Sequence, residues 1–384
     1  MLQRAVEKEI NQYLQDRNNK ILFIWGPRRS GKTTLLKKIS AEHNVPVFNF
    51  DLLSDRVFFV PKKEILAKLV KEQNLILIDE VQNYPESTIP LKILHDEFNV
   101  KVIATGSSEL RKKSQNFDTL TGRFNEIYCL PLNIEEIIIN QSPKEYEKNA
   151  FVQNISGQIQ IFGSYPEVFT LKKDDTVKTD ILENIVDTFV VKDIVNIYQL
   201  KNARLAKDIL TKIALQTGSE VSFREIANSL ETNVTTVTNY IEIFVKNYIL
   251  ISLPSFKINS RRAISEHKKL FFYDLGIRNT LVKDFRSLDL RPDKGGVFEN
   301  FIVSEIEKIR KIHNLKMNLY FYREYSGKEV DLVLEDYKKN YFCLEIKIKN
   351  KKVRKVFPLP HRFDSISLEN FLEILDIIKQ FASI

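Results

Sequence analysis

The sequence predicts an α/β protein. Its first third reads as a parallel sheet around a phosphate-binding loop. A helical stretch, a compact helix–helix–strand segment and a second, smaller α/β domain follow. Three observations lead there. Short apolar runs alternate with helical patterns from residue 20 to about 130, the rhythm of a parallel sheet covered on both faces. The first run leads directly into GPRRSGKTT, residues 26–34. Far downstream, an amphipathic helix precedes two strands that carry Asp331, Glu345 and Lys347.

The composition sets the bounds. Of 384 residues, 43% are hydrophobic and 28% charged, enough apolar surface to exclude general disorder. At roughly 100–200 residues per domain, two or three domains are expected. Soft boundaries near 135, 200 and 262 give segments 1–135, 136–200, 201–262 and 263–384. The two cysteines, Cys129 and Cys343, lie far apart and form no CxxC, so neither a disulfide framework nor a cysteine zinc site is supported. A cytoplasmic location with no membrane span is the expectation.

Fifty-eight Lys and Arg against 50 Asp and Glu give a net charge of +8. Much of that excess sits in residues 343–362, where Lys347, Lys349, Lys351, Lys352, Arg354, Lys355 and Arg362 face the single acid Glu345. Such a run suits a polyanion such as DNA. It equally suits a solvated lysine-rich edge.

Taken in order, residues 1–19 read as a charged amphipathic helix. The strand candidates are ILFIW (21–25), VPVFNF (45–50), LILID (75–79), VKVIAT (100–105) and EIYCL (126–130). Their continuous apolar character fits strands buried on both faces. Residues 134–200 are helical in pattern, broken by GSYPE (163–167). Residues 203–257 run helix, short helix, longer helix, strand. Residues 295–349 contain a helix and a strand–turn–strand pattern turned at Ser326-Gly327, and the tail from 366 is helical again.

The loop Gly26-Pro27-Arg28-Arg29-Ser30-Gly31-Lys32-Thr33-Thr34 lies between a strand and a helix. A triphosphate needs many donors close together. A glycine-containing turn exposes successive N–H groups, and the following helix adds its positive end. Lys32 is expected on the β- and γ-phosphates of ATP or ADP, and the Thr33 hydroxyl on Mg²⁺. Asp79 ends a buried strand, where an unpaired carboxylate is costly; a magnesium partner explains it. Glu80 follows, placed to orient or activate water. Thr105, Ser107 and Ser108 cluster at the end of another strand, where ligands gather in such sheets. One of these hydroxyls is expected to sense the γ-phosphate or the attacking water, with Thr105 carried as a candidate; ordinary turn chemistry explains the same residues equally.

These residues resemble the AAA+ ATPases of the additional-strand class, in which a strand such as VPVFNF separates the two Walker motifs. The resemblance implies that the sensor strand lies between the Walker A and Walker B strands. LTGRF (120–124) resembles the segment that ends this domain in a prokaryotic subgroup. Arg123 is then a candidate arginine finger, in cis or towards a neighbouring subunit of a homo-oligomer. Arg28 and Arg29 are its rivals.

Residues 203–257 look like a winged helix-turn-helix. Ser222 and Glu225 form a capping-box pattern. Val234, Val237, Ile241, Phe244 and Tyr248 make one apolar stripe, and ILISLPSF reads as the wing. The opposite face shows Thr235, Thr236, Thr238, Asn239, Glu242 and Lys246. That is little positive charge for a duplex reader, and a packing module is an equal reading.

In the last region, Glu345 and Lys347 share one strand face. Asp331 on the preceding strand and Glu299 on the helix can converge with them. Two or three carboxylates and a lysine suit metal-dependent phosphodiester cleavage through Mg²⁺ or Mn²⁺. The pattern resembles the PD-(D/E)xK nuclease superfamily, with Val330 where a proline often stands. The whole order is similar to the prokaryotic AAA+ ATPases with a C-terminal domain of unknown function, over LTGRF…LPLNIEE, GSYPEV, VVKDI, FENF and GKEVDLVLE…CLEIK. The resemblance implies an α/β fold: a P-loop parallel sheet (AAA+/ASCE type), an all-α region, a winged helix and a small nuclease-like domain. Its implied activity is ATP hydrolysis. The C-terminal site is either a DNA nuclease or an inactive scaffold in a nucleotide-controlled switch.

Overall fold

The computed structural model describes residues 2–107, 117–171, 174–188, 202–257, 268–324, 327–348 and 356–382. The chain divides into two compact units, Met1–Pro131 with Lys246–Tyr248, and Leu132–Val245 with Ile249–Ile384. Of the expected boundaries, the one near 135 lies within the described residues. Those near 200 and 262 lie outside the described residues, as do Ser108, Ser326, VVKDI and most of the basic run, 349–355.

The first unit is built on five parallel strands: β1 (Ile21–Trp25), β2 (Val47–Asn49), β3 (Leu75–Asp79), β4 (Lys101–Gly106) and β5 (Phe124–Tyr128), in spatial order β2-β3-β4-β1-β5. β4 thus lies between β1 and β3. Every residue of β1 and β3 is buried, which accounts for their unbroken apolar runs. The helices Val6–Gln15 and Lys32–His43 cover the sheet through a core of Val6, Ile10, Leu35, Leu36 and Ile39 against Leu22, Ile24, Leu77 and Ile103. Each such side chain contributes about 1.5–3 kcal/mol by leaving water. β5 begins two residues before the expected position. The Ile21 N–H donates to the Arg123 carbonyl (2.8 Å), and Cys129 N–H donates to the Trp25 carbonyl (2.7 Å) just past the strand. Because all five strands are parallel, the carboxyl ends of β1, β3 and β4 share one edge of the sheet.

The second unit begins with helices Ile134–Gln141, Lys148–Phe162 and Asp175–Asn184. Helices Ala203–Leu215, Phe223–Ser229 and Val234–Lys246 follow, with strands β6 (Glu220–Val221), β7 (Leu250–Pro254) and β8 (Lys268–Phe272) in the antiparallel order β6-β8-β7. Ser222 accepts the Glu225 N–H at 3.2 Å and caps its helix. Val237, Ile241, Phe244 and Tyr248 are buried, but Val234, expected in the same stripe, is 41% exposed in the first turn. After the helices Leu275–Val282 and Lys294–Ile312 comes a four-stranded sheet. Its strands are β9 (Met317–Arg323), β10 (Glu329–Asp336), β11 (Tyr341–Ile346) and β12 (Arg362–Ile366), in order β12-β11-β10-β9. The helix Phe371–Ala382 closes the described chain. Among the described residues no helix is long and apolar enough to cross a membrane.

Candidate functional site

The loop between β1 and the helix Lys32–His43 is shaped by its glycines. A Cβ on Gly26 would lie 1.9 Å from the Cys129 carbonyl oxygen, so the backbone just past β5 can pass this close only to glycine. Gly31 has φ +105° and precedes the first helical residue, a conformation open chiefly to glycine. Arg29 is also left-handed, with φ +62°. Ser30 Oγ donates to the Pro27 carbonyl at 2.8 Å. The loop thus curls over the helix N-terminus, whose first N–H groups have no acceptor within the helix. Thr34 is exposed on that first turn.

Lys32 is buried, and its ammonium donates to the carbonyls of Gly26 (2.9 Å) and Pro27 (2.7 Å). Burial lowers its pKa, opposed by the nearby acids Glu80 and Asp79 and by Cys129. A phosphate here would gain a desolvated cation already aimed into the loop.

Asp79, at the end of β3, is 5% exposed. Thr33 Oγ1 donates to its Oδ2 at 2.8 Å, Thr105 Oγ1 donates to Oδ1, and the Glu80 N–H also reaches Oδ1 at 3.1 Å. The buried carboxylate is therefore satisfied from three directions. A hydroxyl and a carboxylate oxygen side by side at the loop are hard donors of the kind Mg²⁺ takes when phosphates and water complete its shell. The donor set fits the metal. Glu80 follows with φ +53°, which turns it out of the strand line. Gln82 donates through Nε2 to Glu80 Oε2 and to Ser107 Oγ (2.9 Å), and its Oε1 accepts the Ser107 N–H at 3.2 Å.

Arg123 sits elsewhere. It precedes β5 and pairs with Asp96 through Nε, 2.8 Å from Oδ1, which holds the Asp96 carboxyl down at about 2. The loop lies past the opposite, carboxyl end of β1, a strand length of about 16 Å away. A finger role in cis is therefore ruled out by strand direction. Arg28 and Arg29 lie in the loop itself.

Sequence reasoning missed Arg4 and Gln82. Arg4 is 6% exposed and lies behind the loop. Its guanidinium donates to the Ser30 carbonyl, to Cys129 Sγ (3.2 Å) and to the Leu130 carbonyl (2.6 Å). Nothing in the local sequence marks it. Gln82 carries a signal, since it follows the Asp79-Glu80 pair on the adjoining turn.

A second cluster lies in the other unit. β10 and β11 pair antiparallel with Leu332 opposite Leu344, so Asp331 stands opposite Glu345. Lys347 Nζ lies 2.8 Å from Glu345 Oε2 and 3.6 Å from Asp331 Oδ2, and Asp331 Oδ2 accepts the Ile346 N–H at 2.7 Å. Burial, and next the Asp331 charge, raise the Glu345 pKa. Burial acts to lower the Lys347 pKa, but the two carboxylates outweigh it and the net shift is upward.

Glu299 departs from the expectation. Its Oε1 is 2.8 Å from the Lys269 ammonium, which also pairs with Glu329. Lys269 is 3% exposed at its side chain and was not foreseen. One ammonium between two carboxylates leaves a surplus of negative charge. Burial, together with Asp331 and Glu329, pushes the Glu299 carboxyl up to about 7 despite Lys269. Among the described residues no three Asp, Glu, His or Cys side chains form a group able to hold a metal. Lys269 pairs with Glu299, while the Asp331 charge acts on both Glu299 and Glu345.

Comparison with known proteins matches residues 18–138 to the AAA domain family. Residues 156–290 and 294–366 match two domains of unknown function, DUF8612 and DUF4143. An uncharacterized protein of Methanocaldococcus jannaschii is 26% identical over 374 residues, covering 92% of this chain and 80% of its own. Another from Haemophilus influenzae is 24% identical over 293 residues, covering 71% and 72%. Among solved structures, the Aeropyrum pernix Orc1 protein in complex with DNA aligns at TM-score 0.34 and 13% identity, over 74% of this chain and 93% of that one. AMPPCP-bound DnaA from Aquifex aeolicus aligns at 0.30 and 19%, over 62% and 86%. The match of residues 18–138 to an AAA domain supports nucleotide binding by the first unit.

Proposed function

We propose that the chain is a magnesium-dependent ATPase of the AAA+ type that acts on DNA. The observation that carries the ATPase reading is Asp79, shared between Thr33 of the loop and Thr105 of the neighbouring strand. The loop amides and Lys32 hold the β- and γ-phosphates, and the carbonyls of Gly26 and Pro27 yield Lys32 to them. Thr33 and Asp79 would hold Mg²⁺, which when bound would supply charge neutralisation for the phosphates. Glu80 orients the attacking water and accepts its proton. Thr105 reports the γ-phosphate through Asp79. Arg123 serves a neighbouring copy in a homo-oligomer as its arginine finger.

DNA as a partner is supported by the basic run that begins at Lys347, and by the helix and strand order of residues 203–272. That order suits a winged helix. Its phosphate contacts would make affinity fall steeply with salt. A second reading concerns the C-terminal sheet. Asp331, Glu345 and Lys347 face one another, which favours phosphodiester chemistry of the PD-(D/E)xK kind. The pairing of Glu299 with Lys269 favours the alternative, a nucleotide-controlled switch whose nuclease-like domain binds without cutting. One assay separates them: DNA cleavage with Mn²⁺, with and without ATP, for wild type and Asp331→Ala. Cleavage lost in the variant while ATP hydrolysis continues supports the nuclease. No cleavage by wild type removes it and leaves the switch.

A further inference from the structure

Gln82 lies in the short turn Val81–Asn83 after β3, where its side chain is 7% exposed. A buried primary amide must place two donors and an acceptor. Here one N–H goes to Glu80 Oε2 and the other to Ser107 Oγ, while the oxygen takes the Ser107 N–H. The reverse orientation would set the amide oxygen against the Glu80 carboxylate and the NH₂ group against an N–H. The network therefore admits one orientation. Space for it comes from Gly106, where a Cβ would lie 3.0 Å from Gln82 Oε1 and 2.3 Å from the Trp25 ring.

Both ends of this bridge matter. Glu80 sits in a left-handed turn and needs an external partner to fix its carboxylate. Ser107 follows the last residue of β4, two residues after Thr105, which binds Asp79. One amide thus joins the Glu80 carboxylate to the residue just past β4.

We infer that Gln82 is a positioning residue: it holds the Glu80 carboxylate and couples it to the end of β4. This rests on Glu80 being the residue that orients the attacking water. Charged groups near Glu80 include Lys32 from the loop helix and Asp79 from β3, with Arg28 also acting on Lys32, while Thr105 and Ser107 at the end of β4 offer hydroxyls. A carboxylate at position 82 would thus add like charge beside Glu80.

The test is steady-state ATP hydrolysis by the full chain as wild type, Gln82→Ala, Gln82→Glu and Glu80→Gln, with ATP affinity and melting temperature measured for each. Gln82→Ala should lower kcat about tenfold or more and leave KM near wild type, with a modest fall in melting temperature from the stranded Ser107 N–H. Gln82→Glu keeps the size of the side chain but removes the N–H donors to Glu80 and Ser107, and should lower kcat at least as far as Gln82→Ala with KM near wild type. Two results overturn the inference: wild-type kcat in Gln82→Ala or Gln82→Glu, or a loss of ATP affinity in Gln82→Ala that matches its loss of kcat. Wild-type turnover in Glu80→Gln removes the reading of Glu80 and this inference with it. An inactive Glu80→Gln beside a fully active Gln82→Ala removes the role of Gln82 alone.

Discussion

Replacing Arg4 with alanine should damage nucleotide binding from outside the loop. The guanidinium supports the loop through the Ser30 carbonyl and the chain past β5 through the Leu130 carbonyl, with Cys129 Sγ between them. Alanine leaves two buried carbonyls without a charged donor. Ser30 keeps the Cys129 thiol at 3.5 Å. At about 1–3 kcal/mol for each stranded acceptor, the first unit loses about 2–4 kcal/mol, a fall in melting temperature on the order of 10 °C. If about 1.4 kcal/mol of that must be restored when the loop re-forms on ATP, Kd rises tenfold. Thermal melts with and without ATP, and a titration with a fluorescent ATP analogue, read both quantities. Arg4→Lys should recover only part, because one ammonium cannot reproduce the fork. An Arg4→Ala protein that melts and binds ATP like wild type would refute the argument.

Two other outcomes are expected. Glu299 carries a pKa near 7 against 4.5 for an ordinary carboxyl. Between those values the folded chain keeps a proton that the unfolded chain releases, so stability falls as pH rises through this window, by at most about 3 kcal/mol. Melts of Glu299→Gln across pH 4–8 should lack that component, and an identical pH slope in wild type and variant would contradict it. Gly26→Ala sets a methyl against the Cys129 carbonyl and should abolish ATP binding while Gly122→Ala, where a Cβ meets nothing within 4 Å, leaves it within a few-fold despite its positive φ; equal binding by both variants would show that the close approach is not needed.

The phosphate loop and the Asp79-Glu80 pair were legible because their chemistry is local: strand, glycine turn and helix follow one another in sequence. The same holds for Asp331, Glu345 and Lys347, whose strand spacing put them on one face. Long-range partners were not legible. Arg4 reaches residues 26 and 126 positions away, and no periodicity marks a residue whose role is to hydrogen-bond distant carbonyls. Lys269 was hidden likewise. The strand KKLFF that bears it was not foreseen, so its claim on Glu299 could not be. RFDSI escaped for a related reason, since β12 pairs in parallel with β11 only after a crossover. For Arg123 the motif left a finger in cis or towards a neighbouring subunit open, and the direction of β5 places it at the end of the sheet away from the loop.

The central claim is that the turn after β1 grips a nucleotide triphosphate with magnesium, and binding of ATP to wild type and Lys32→Ala, measured by calorimetry with Mg²⁺ and again with chelator, tests it most directly. Saturable binding by wild type that weakens with chelator and is lost in the variant is the result this account requires. Equal binding by both proteins would place the nucleotide somewhere other than this turn.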